Sequence, residues 1–229
     1  MLKLLALSTV ATVTSAAFLK EEAWPDLNLF TTFQADASLF TWDGKQLSPF
    51  KDITATLKVD SGRNKIKVDA KVSVPIIGKI NAEALVDLTQ GYALEYVPFL
   101  GLCQKTPLNF TLSLKDTLEK IYSPTGGVTV YDGEAPAPWD STKMWKFHGS
   151  ELNATVTAWF DEGSHNGKWI YEETSDGKVP SLVVSIPKGE QAATFQDSEF
   201  TISGCKAYNE NPAERINIWF DELRPEVKQ

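Results

Sequence analysis

Lys65-Ile66-Lys67-Val68-Asp69-Ala70-Lys71-Val72-Ser73-Val74 decides the fold class. Apolar residues occupy every second position, and Lys, Asp and Ser fill the rest. Successive side chains of a strand point to opposite faces, so the stretch reads as a β-strand with one buried and one wet face. Half-buried strands of this kind belong to antiparallel sheets. The alternation continues upstream through Ile53, Ala55, Leu57 and Val59, with Thr54, Thr56 and Lys58 between them. Downstream it returns in Ile80, Ala82, Ala84, Val86 and Leu88, then in Tyr92, Leu94 and Tyr96. Turn formers separate the runs at Asp60-Ser61-Gly62-Arg63, Pro75-Ile76-Ile77-Gly78 and Thr89-Gln90-Gly91. Turns this short predict a meander, because neighbours in sequence usually pair.

The rest of the chain keeps the pattern. An earlier strand is expected over residues 32–42, ended by Asp43-Gly44. Residues 113–122 read as a short helix: Ser113 can cap it, Asp116 lies in the first turn, and Leu114, Leu118 and Ile121 share a face. Residues 133–138, with Pro136 and Pro138, read as an irregular loop. Further strands are expected at 144–148, 152–160, 168–173, 181–186, 199–203 and 215–220. Trp-Phe-Asp-Glu occurs at 159–162 and again at 219–222, too short a match to be a repeat. No linker divides the chain, so residues 18–229 read as a single β domain.

Residues 1–17 carry the marks of a secretion signal. Lys3 supplies a positive start, residues 4–13 are apolar but for Ser8 and Thr9, and Thr14-Ser15-Ala16-Ala17 offers small residues for cleavage. The apolar run is about half the roughly 20 residues a membrane span needs, and no later segment qualifies. The two cysteines, Cys103 and Cys205, are an even pair, which in a secreted chain predicts a disulfide. Asn109-Phe110-Thr111 and Asn153-Ala154-Thr155 are glycosylation sequons, at Asn109 and Asn153. The expected location is therefore extracellular, or the lumen of the secretory pathway. The 30 acidic residues outnumber the 22 basic ones, which argues against a nucleic-acid partner.

An up-and-down order also sorts the turns by end. Residues 60–63 and 89–91 fall at one end of the sheet and are polar; 75–78 and 97–102 fall at the other and are apolar. Ile76, Ile77, Phe99 and Leu100 would gather at that rim. Either the helix plugs it, or it is an apolar mouth used by a ligand or by transient contact with a lipid surface.

Reactive constellations are scarce. His148 and His165 lack metal-ligand spacing, and Glu162-Gly163-Ser164-His165-Asn166-Gly167 is not a hydrolase elbow. Asp161, Glu162, Glu172, Glu173, Asp221 and Glu222 lie near aromatics, a composition that suits sugar binding or cleavage if two carboxyls converge. Calcium is the one metal these acids suit, although no Asp-x-Asp-x-Asp-Gly loop is present.

A family likeness rests on four short segments. Gly91-Tyr92-Ala93-Leu94-Glu95-Tyr96 runs into Cys103-Gln104-Lys105-Thr106-Pro107-Leu108. Ala158-Trp159-Phe160 comes later, and Thr201-Ile202-Ser203-Gly204-Cys205 last. Over residues 30–206 this layout resembles the ependymin-related proteins. The resemblance implies a secreted glycoprotein with the curved antiparallel sheet of the bacterial lipoprotein carriers. It also implies helical segments in the concavity, an apolar pocket, a lipid or other hydrophobic ligand and calcium-dependent behaviour. Only Cys103 and Cys205 carry over residue by residue. The family's further cysteines are missing, which makes the chain a distant member or a separate group on that fold.

The sequence thus predicts a mainly β protein, a strongly curved antiparallel half-barrel with one or two short helices in or over its concavity. No enzymatic activity and no resident cofactor are expected, calcium being the one candidate. The expected partner is a lipid or other hydrophobic small molecule. Its lining is expected from Ile66, Val68, Val72, Ile76, Ile77, Ile80, Tyr92, Tyr96, Phe99, Leu100, Trp145 and Trp159. The alternatives are an extracellular carbohydrate-binding or carbohydrate-cleaving protein using Trp159 or Trp219, and a matrix or adhesion module without a small ligand.

Overall fold

Alternating sequence becomes strands over most of the expected runs that fall among the described residues. The computed structural model describes residues 24–74, 76–126, 129–151, 154–174 and 181–205. The leader at 1–17, the sequon at Asn153, the strand expected at 215–220, and Trp219, Asp221 and Glu222 lie outside the described residues. Strands β1 (Thr32–Trp42), β2 (Leu47–Asp60), β3 (Lys65–Val74), β4 (Gly78–Asp87), β5 (Tyr92–Val97) and β6 (Leu102–Pro107) each run antiparallel to the next; β2 to β5 are the expected meander, and β6 has no counterpart among the strands expected from sequence. Helix α1 (Leu114–Ile121) follows. A second meander runs through β7 (Val130–Pro136), β8 (Lys143–Glu151), β9 (Ala154–Phe160), β10 (Gly167–Thr174) and β11 (Ser181–Ser185). β11 pairs with β1, and the two-residue β12 (Gln191–Ala192) pairs with the start of β1.

Among the described residues, the two meanders make one 12-stranded antiparallel sheet with β6 and β7 at its unjoined margins. It bends around α1. The helix N-terminus is bonded to Asn64, beside β3, and Tyr122 at its C-terminus meets Phe160 of β9 with ring centroids 6.2 Å apart. Flat, five strand spacings would separate β3 from β9 by about 24 Å, twice the ~12 Å axial length of α1. Bulges in the β1–β2, β9–β10 and β7–β8 pairings supply part of the bend.

Each face is covered in part, by different means. The inner face packs against α1 through Phe33, Val59, Leu88, Leu114 and Ile186, and beside them through Leu27, Phe147 and Phe160. On the reverse face, residues 193–205 lie across β4 and β5, where Phe195, Phe200 and Ile202 bury against Leu85. The Cys103–Cys205 disulfide (Cα–Cα 5.5 Å) ties this flap to β6. Ion pairs Lys58–Glu199 (3.0 Å) and Arg63–Asp197 (2.7 Å) hold its outer side.

Two expected elements differ. The strand expected at 199–203 is instead a 3-10 turn, Asp197–Phe200. The Glu199 carboxylate accepts from the Gln196 backbone N–H (2.8 Å), and that local closure outcompetes strand pairing. The loop expected at 133–138 belongs largely to β7, a margin strand whose outer edge is unpaired among the described residues, so Pro136 at its end removes no ladder bond.

Candidate functional site

Register assigns each expected lining residue to a face. Ile66 pairs with Val86, Val68 with Ala84, and Val72 with Ile80, all on the inner face with Leu57 and Val59 of β2. Ile66, Val68, Val72 and Ile80 are half-buried there. Across the middle of this face, Ala37, Ala55, Ala70 and Ala82 stand in register on four adjacent strands. Methyls flanked by larger side chains make this band the low line of the face, here termed the trough, and Ala70 and Ala82 in it are buried.

The trough has unlike ends. At the polar-turn end, Asn64 sits at φ +56°. Its Oδ1 accepts from the Leu114 N–H (2.8 Å) and its Nδ2 donates to the Leu112 carbonyl (2.8 Å), seating α1 over Leu88 and Val59. Ser113 caps the helix as expected, its Oγ accepting from the Asp116 N–H (3.3 Å). At the other end, Ile76 and Ile77 lie in the β3–β4 turn and Phe99 and Leu100 in the 3-10 turn between β5 and β6. Their exposures are 107%, 52%, 63% and 50%, and Leu102 beside them is 41% exposed. Ile76 takes φ +73°, a backbone region costly for a β-branched residue. The helix thus covers the end opposite to this rim.

Three expected lining residues are corrected. Tyr92 and Tyr96 pair with Asp87 and Glu83 and therefore face the reverse side, where Tyr96 packs on the flap. Trp159 also points to the reverse face. It is 3% exposed, packed with Met144 and covered by Trp139, whose ring centroid is 5.6 Å away. Trp145 does lie on the inner face, but packed with Trp24, Leu27, Phe147 and Phe160, so that half of the concavity is filled by aromatic side chains. The face that could receive a ligand is the β2–β6 half.

Sequence reading missed the alanine row and Glu95. The latter projects from β5 onto the inner face between Ala84 of β4 and Gln104 of β6. Burial raises its carboxyl above the ordinary carboxylate range, and no cation among the described residues offsets it. A charge at an apolar-register position was the available signal, but in β5 both alternating sets contain apolar residues.

Two of the remaining candidates have structural duties. Asp161 closes the β9–β10 turn by accepting from the Ser164 (2.7 Å) and Gly163 (3.1 Å) N–H groups, and these bonds lower its pKa. His148 Nδ1 meets Asp132 at 2.8 Å, in an exposed pair on β7 and β8. Among the described residues no three His, Cys, Asp or Glu cluster as metal ligands would. No described helix is long and apolar enough to cross a membrane. A depression of ≈290 Å³ on the reverse face is lined by Asp36, Thr54, Thr56, Asp69 and Lys71 together with Ala37, Ala55 and Pro187. No protein-family model matches the chain, and none of the curated proteins matches it.

Proposed function

We propose that this protein is a secreted glycoprotein that binds a lipid or other hydrophobic ligand along the inner trough of its curved sheet. One observation carries the reading. An apolar face floored by alanines leads to a rim of exposed Ile76, Ile77, Phe99 and Leu100, while the helix seals the other end. Large apolar groups in water are unfavourable, and Ile76 adds backbone strain, so the rim is a costly arrangement that a binding role explains. Burial contributes about 0.8 kcal/mol per methylene, so a long acyl chain binds usefully through contact alone. The rim also suits brief contact with a lipid surface, from which such a ligand would transfer. The Cys103–Cys205 disulfide and the exposed Asn109 sequon agree with passage through an oxidising secretory compartment.

A sugar-binding role has less support: Trp159 offers no stacking face and Asp161 is engaged in its turn. Organic extraction of protein freshly purified from a secretory host, followed by mass spectrometry, should release a lipid. Ile77→Ser with Phe99→Ser should weaken binding of the dye Nile red about tenfold or more while thermal melting stays near the parent's. Unchanged dye binding in a folded double variant would refute the trough as the site.

A further inference from the structure

Along residues 33–37, 55–59, 66–72, 80–86 and 93–97, the inner side of β1–β5 is apolar with one exception. β1 presents Phe33, Ala35 and Ala37, and β2 presents Ala55, Leu57 and Val59. β3 and β4 add Ile66, Val68, Ala82, Ala84 and Val86. On β5 the inward residues are Ala93, Glu95 and Val97, with Val97 1% exposed. Glu95 is therefore the single inward carboxylate of this half. It lies three residues inward from Pro98, roughly 10 Å from the rim turn at ~3.4 Å per residue. No titratable group faces it from either neighbouring strand: β4 offers Ala82, Ala84 and Val86, and β6 offers Leu102, Gln104 and Thr106. The lysine of β6, Lys105, lies on the reverse face against Tyr92.

We propose that Glu95 is the polar anchor of the trough and selects amphiphiles whose head group donates hydrogen bonds, an ammonium or a hydroxyl, over those with an anionic head. This inference rests on the lipid-binding reading above. A half-buried carboxyl without a cation is unfavourable alone and gains a partner when a donor head group arrives. A fatty carboxylate brings like charge into the same low-dielectric space and is rejected. The apolar tail then lies along the alanine row.

The test titrates the full secreted protein, loaded with Nile red at pH 7, with dodecylamine, 1-monolauroylglycerol and laurate, each below its micelle concentration. Dodecylamine and the monoglyceride should displace the dye at about tenfold lower concentration than laurate, a difference of ~1.4 kcal/mol. In Glu95→Leu the three probes should converge, laurate gaining most. Glu95→Gln, which keeps shape, should lose the preference for the amine while melting as a folded protein. Equal displacement by all three in the parent, or an unchanged ranking in both variants, overturns the anchor while leaving a binding trough intact. A parent protein that takes up neither dye nor probe overturns the lipid-binding reading itself, and the anchor with it.

Discussion

Glu95 shows how one residue can carry two consequences. Its raised pKa means that the folded protein holds this proton to higher pH than the unfolded chain does. The stability belonging to the neutral form is complete below the ordinary carboxylate range and is lost as pH rises through the folded value. Gln at this position stays neutral throughout. Glu95→Gln should therefore raise the melting temperature at pH 7 and change it little at pH 4. Melting curves at the two pH values check this, and a lower midpoint at pH 7 would contradict the desolvated carboxyl. The residue was visible in the sequence as a charge, but nothing local said which way it pointed. β5 alternates Tyr92, Leu94 and Tyr96 against Ala93, Glu95 and Val97, and the bulkier set turned to the flap.

Among elements, α1 was legible almost to the residue. Ser113, Asp116 and the spacing of Leu114, Leu118 and Ile121 are cues within ten residues, and capping chemistry is local. Its seating was not legible, because the anchor is Asn64, fifty residues upstream. Asn64→Ala removes two side-chain hydrogen bonds, each worth about 1 kcal/mol, and puts a Cβ residue without a polar head in the left-handed region. The loss expected in chemical denaturation is about 2–3 kcal/mol, with Asn64→Gly costing less because its backbone suits φ +56°. An alanine variant as stable as the parent would remove Asn64 as the clamp of the helix. The misread 199–203 segment follows the same logic. Its apolar Phe200 and Ile202 suggested a strand, whereas they are the buried feet of a flap whose backbone closes on itself.

For the whole molecule, the disulfide is a covalent strap between the sheet margin and the flap, 102 residues apart. In the chain-entropy account, closing such a loop contributes at most about 4.7 kcal/mol. The flap also keeps Phe195, Phe200 and the Lys58–Glu199 and Arg63–Asp197 pairs. Cys103→Ser with Cys205→Ser should therefore still fold, with an unfolding free energy from urea titration lowered by up to that amount. New protease cleavage should appear within residues 193–205. Full stability in the double variant would show that the noncovalent contacts alone secure the flap.

What the sequence by itself determined is local: period-two alternation, turn residues, a helix cap and an even cysteine pair. These specify most of the strands, the order of β2 to β5 and which turns are apolar, since each depends on residues a few positions apart. Only the tertiary structure decided the pairing of β1 with β11, the alanine row across four strands and the side to which Tyr92, Tyr96 and Trp159 turn. The physical reason is symmetry. Alternation says that a strand has two unlike faces, but which face becomes the hollow is set by segments that arrive from elsewhere in the chain to cover the other.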